Sequence, residues 1–274
     1  MIWVYLVLSI WTIVIVYPFL RISSINRFAS FLITVAAVAA VILLSAVFLK
    51  PHFMAWQHER YIRTQYPFVS YLETQSPVDF GAYMSQIRDN VKKNKNLNNE
   101  IYYQSELLNT LLLKYGPVAS HKSLYDYLKQ NVEYDKKLIK IDPVYVLYHE
   151  FPDKFIRSDI NFDKLDRDEY IMESFNAVEP VIKSGVESPQ KMPSDDEQKQ
   201  AMVTFRKVVD DLSKKYGAKT VVETLQNPAD TKLDKETSAK IIIAFFEEII
   251  AKGEENAGLF MRVSYLVSRP KPAD

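Results

Sequence analysis

The chain has 274 residues, with 34 basic and 34 acidic side chains and no cysteine. The missing thiol excludes disulfides, Cys-ligated zinc, iron–sulfur clusters, covalent c-type haem and thiol catalysis together. The even charge balance argues against a nucleic-acid partner, which calls for a basic excess on one face.

Charge is unevenly spread. From Met1 to Leu49 the charged side chains are Arg21 and Arg27 alone. Ile2 to Leu20 is one uncharged run and Phe28 to Leu49 a second. A helix rises about 1.5 Å per residue, so each run has a length close to the hydrocarbon thickness of a bilayer. The segment between them is too short for anything but a turn. Residues 1–50 are therefore expected to form a two-helix transmembrane hairpin, with spans of about 2–20 and 28–49 and the lipid bilayer as a partner. Trp3, Tyr17, Arg21, Arg27, Trp56 and Arg60 are the expected interfacial anchors. Ala36 and Ala40 form a small-xxx-small pair suited to close helix packing. Arg21 and Arg27 favour a cytoplasmic turn, which puts the rest of the chain on the extracytoplasmic side of a bacterial inner membrane, whereas Lys50, Arg60 and Arg63 after the second run pull toward the cytoplasmic side. Residues 51–75 read as an interfacial or connecting segment.

Beyond residue 75 helix punctuation is frequent and strand signals are scarce. Ser76-Pro77-Val78-Asp79 opens a helix to about Lys93. Glu100 to Tyr115 shows helical spacing of Ile101, Leu107, Leu108, Leu111 and Leu112, and Gly116-Pro117 stops it. Ser120 caps the next helix, with Leu124, Tyr127, Leu128 and Val132 on one face. Val144 to Tyr148, after Asp142-Pro143, is too short for periodicity to separate a helical turn from a strand. A helix from about Asp166 to Lys183 ends near Gly185. Residues 186–193, with Pro189 and Pro193, form the expected linker between helical subdomains 76–185 and 194–268. Ser194-Asp-Asp-Glu197 is a capping box. The helix it opens stops at Gly217, and shorter helices begin at Ala218, Asp234 and Leu259 before the tail, 269–274. The fold class expected is all-α.

The layout of two spans followed by a helical domain resembles the membrane assembly subunit of the bacterial cytochrome c maturation machinery. The loop between the runs is only a few residues, however, and that subunit's repeat consensus is absent. No family is assigned on the resemblance.

Motifs for chemistry are sparse. His58-Glu59 and His149-Glu150 begin like a zinc-protease helix, but no histidine follows three residues after either glutamate. Asp159-Ile-Asn161-Phe-Asp163 has oxygen side chains at alternate positions, as half of an EF-hand loop does. Lys164 and Tyr170 stand where that loop needs its glycine and bidentate glutamate. Gly253 and Gly258 have P-loop spacing, but Leu259 and Phe260 replace the phosphate-binding lysine and hydroxyl. No cofactor is implied and no acid pair is singled out. The leading expectation is a membrane-tethered adaptor or scaffold of a bacterial envelope complex, binding membrane-embedded protein partners. Two others are open: an anchored immunity or inhibitor protein, and an enzyme with an unrecognised carboxylate site. Converging carboxylates in a deep polar cleft would favour the last.

Overall fold

The computed structural model describes residues 2–22, 26–45, 49–93, 99–156, 160–230 and 232–269, and their regular structure is helical throughout. The chain divides into two compact units, residues 1–65 with 84–97, and residues 66–83 with 98–274.

In the first unit, α1 (Ile2–Ile22) packs along α2 (Arg27–Leu44), and α3 (Lys50–Gln65) follows. Among the described residues no helix is long and apolar enough to cross a membrane. This corrects the transmembrane hairpin, and with it the inner-membrane location and the extracytoplasmic placing. The physical reason is length. In the second run the described helix α2 covers Arg27–Leu44, and the next described helix is Lys50–Gln65. The uncharged part of α2, Phe28 to Leu44, rises about 26 Å, against about 30 Å for the hydrocarbon core.

The face α2 turns inward carries Ser30, Thr34 and Ser45, all buried. Thr34 Oγ1 donates back to Ser30 O at 2.8 Å, which satisfies the hydroxyl within its own helix. Ala36 and Ala40 stand exposed on another face. Tyr17 and Trp56 are also exposed, and the Arg60 guanidinium lies 5.9 Å over the Trp56 ring. Trp3, Arg21 and Arg27 lie outside the residues whose side chains are described.

The helix ends of the second unit follow local chemistry. α4 (Pro67–Gln75) is followed by α5 (Pro77–Lys92) and α6 (Asn99–Tyr115). At the turn into α5, Ser76 Oγ donates to Asp79 Oδ2 at 2.6 Å, and Lys114 Nζ reaches both groups at 3.3 Å. Ser120 caps α7 (His121–Ile141) by accepting from Ser123 N at 3.1 Å. Asp142 accepts from Val144 N at 3.1 Å, and Pro143 sits at the first position of α8 (Pro143–Glu150). The ambiguous apolar piece is thus a helix, set by its cap and its proline. Asp166 accepts from Glu169 N and opens α9 (Arg167–Glu187). The Ser194/Glu197 capping box is present at the start of α10 (Asp195–Tyr216). Gly217, at φ +86°, turns the chain into α11 (Ala218–Gln226). α12 (Lys235–Ile250) and α13 (Glu254–Val267) complete the unit.

The unit is built around α7, which packs on α8, α9, α12 and α13. Residues 188–193 are tied down rather than free. Gln190 N donates to Val118 O at 2.7 Å, and the buried Arg262 donates to Lys191 O.

Candidate functional site

The inward face of α7 carries Leu124, Leu128, Asn131, Val132, Asp135 and Leu138, all buried. Steps of three, four and seven keep one helix face in line, so Asn131 and Asp135 occupy core positions. α8 is short and buried on several sides, with Tyr145 to Tyr148 inside the core. Its last turn delivers His149 and Glu150 against Asp135. Burial without water or a cation is costly for a carboxylate, so two acids meeting here need a compensating partner.

The geometry supplies one in part. His149 Nδ1 lies 2.8 Å from Asp135 Oδ1 and 3.5 Å from Glu150 Oε1. The imidazole edge meets Tyr134 and Tyr170 at ring separations of 5.6 and 5.7 Å, which fixes its plane. Asn131 is hydrogen-bonded to Glu150 and to the Tyr127 hydroxyl, and Tyr127 is in turn paired with Tyr265. Asp135 Oδ2 and Glu150 Oε1 have no donor. The two carboxyls face each other, and they bond only when one holds a proton.

Burial pushes the Asp135 carboxyl well above the usual carboxylate range. Burial does the same to Glu150, helped by the charge of Asp135. The His149 imidazole is pushed down by burial, against the pull of Glu150. A neutral imidazole with its proton on Nδ1, donated to Asp135, fits these directions. A single proton between the two acids would make a donor carboxyl beside an acceptor carboxylate. That is the equipment of general acid–base catalysis.

His149 and Glu150 line a cavity of about 350 Å³. Its walls are mostly apolar and aromatic: Leu108, Leu112 and Val178 on one side, Phe245, Phe260 and Met261 on the other. Among the described residues no Lys or Arg lines it. Gln104, fully buried on α6, also lines it, and neither its Nε2 nor its Oε1 has a partner. Gln226 is exposed at the rim, with Asn109, Phe205 and Leu225 half-buried beside it.

Among the described residues, Asp135, His149 and Glu150 form the one group of three acids or histidines close enough to share an ion, with ligand atoms within 4.8 Å of one another. The sequence search had looked for the partner of His149 along its own helix. The partner comes instead from α7, fourteen positions earlier. The Asp159/Asn161/Asp163 loop is occupied locally: Asn161 Oδ1 accepts from Asp163 N at 2.8 Å, and the Tyr145 hydroxyl donates to Asn161 O at 2.7 Å. Asp159 lies outside the described residues. Comparison with protein-family models, with curated proteins and with solved structures finds no match.

Proposed function

We propose that the second unit is the small-molecule site of an enzyme, holding a substrate that is apolar over most of its body and polar at one end. The observation that carries this reading is the placing of Glu150 and His149 in the wall of an otherwise apolar cavity, backed by Asp135. The cavity volume falls within the range of about 300–1,000 Å³ usual for ligand sites. Its apolar walls supply affinity without direction, and the acid–imidazole cluster orients the polar end. Of the readings open at the level of sequence, the enzyme with a carboxylate site is the one this geometry favours.

The test is a titration with N-phenyl-1-naphthylamine, a neutral fluorescent probe with an apolar body. Saturable binding of one equivalent is expected. Met261→Trp, which pushes an indole into the cavity, should abolish it while the far-ultraviolet circular dichroism and melting temperature stay close to those of the parent. Probe binding that persists in Met261→Trp places the dye on another surface, such as the exposed apolar side chains of α1 and α2, and refutes the reading.

A further inference from the structure

We propose that Asp135, His149 and Glu150 bind one divalent transition-metal ion of the zinc class, leaving a coordination position open to the cavity. The inference rests on the small-molecule site just described and names the chemistry at its polar end. Three observations carry it. The three ligand atoms converge within 4.8 Å, and the set is one imidazole and two carboxylates, the donor types that suit zinc. The cluster carries two potential negative charges, and among the described residues no Lys or Arg lines the cavity to balance them. A shared proton neutralises one charge, whereas a divalent ion neutralises both. The third observation is independent: fully buried Gln104 brings an amide with no partner on either atom into the same cavity.

The fit is close. Zinc bonds to nitrogen and oxygen are about 2.0–2.2 Å, so ligand atoms around a tetrahedral ion sit about 3.3 Å apart. His149 Nδ1 and Glu150 Oε1 are already 3.5 Å apart. Nδ1 and Asp135 Oδ1, at 2.8 Å, need only a small opening as the ion replaces the proton between them. His149 and Glu150 line the cavity and Asp135 stands behind them, so the remaining position of the ion faces the apolar chamber. The substrate class is then an apolar-bodied molecule with a metal-ligating head, such as a carboxylate or hydroxamate. A free amine head would suit the acid pair without an ion, and this is the competing outcome.

The experiment uses the full chain freed of metal with a chelator. Calorimetry with zinc and visible absorption with cobalt should show one tight equivalent, with a tetrahedral cobalt band. Asp135→Asn and Glu150→Gln should each weaken zinc at least tenfold, while His52→Ala, His58→Ala and His121→Ala leave it unchanged. Glu150→Gln is the second variant, isosteric and nearer the rim, should Asp135→Asn fold poorly. Octanohydroxamate should displace N-phenyl-1-naphthylamine at least tenfold more effectively with zinc present. Absence of saturable zinc binding, or binding indifferent to Asp135→Asn and Glu150→Gln, overturns the metal site. So does displacement by octylamine that zinc does not affect. Probe binding without zinc binding leaves the cavity reading standing while the metal site falls, and zinc binding without probe binding does the reverse.

Discussion

Gly258→Ala is the sharpest structural test, because the usual expectation for a glycine inside a helix is reversed there. Gly258 lies within α13, and at such a position alanine normally stabilises by about 0.5–1 kcal/mol. Here a Cβ would sit 2.5 Å from His121 Cα, 2.6 Å from His121 Cβ and 2.7 Å from His121 O. Carbon atoms rest about 3.5–4.0 Å apart, and the obstacle is backbone, which cannot rotate away. α13 must withdraw from α7 by about 1 Å, the kind of overpacking that costs about 1–3 kcal/mol. Set against the alanine gain, the net loss is about 0–2.5 kcal/mol, or a melting temperature lower by up to about 10 °C for a unit of this size. Gly81 is the control. It lies exposed in α5 with nothing within 4 Å of a Cβ, so Gly81→Ala should raise the melting temperature by about 1–4 °C. Thermal unfolding of both variants under one condition checks the pair. A Gly258→Ala protein melting above the parent would refute the close α7–α13 approach, and with it the position of the cavity wall.

In metal-free protein, Asp135→Asn should change the pH dependence of stability. Burial raises the folded pKa of Asp135, so the unfolded chain releases that proton first. The stability this group contributes is full below the unfolded value of about 4 and is lost as pH rises toward the raised folded value. His149 acts in the opposite sense, its lowered pKa costing stability as pH falls below its unfolded value of about 6.5. Urea midpoints of parent and Asp135→Asn, compared from pH 5 to 9, should therefore move in the variant's favour as pH rises; a difference independent of pH would sink this account. Arg262→Met should destabilise by about 2–4 kcal/mol, since each buried acceptor left unpaired costs about 1–3 kcal/mol. The Arg262 guanidinium donates to Pro117 O at 3.0 Å, to His121 Nε2 at 3.1 Å and to Lys191 O. Limited proteolysis should then open the chain near residues 188–193, and an uncut segment at parental stability would show that the clamp is not holding it.

The sequence by itself marked where five helices of the second unit begin. Ser120, Asp142, Asp166, Ser194 and Asp234 each cap a helix by bonding to the backbone two or three residues on, an interaction wholly local in the chain. It also held a trace of the site: Asn131 and Asp135 interrupt the apolar register of Leu124, Leu128 and Leu138 on α7. A polar residue at a core position asks for a partner without naming it. Local reasoning failed where an outcome depended on more than the local chain. The apolar run after Arg27 read as one span, yet among the described residues no helix is long and apolar enough to cross a membrane. The bond from Arg262 to Lys191 O, within the expected linker 186–193, is likewise made between residues far apart in the chain. Only the tertiary structure set Asp135 against His149 and Glu150, because α7 and α8 lie side by side in a core whose low dielectric turns their meeting into chemistry.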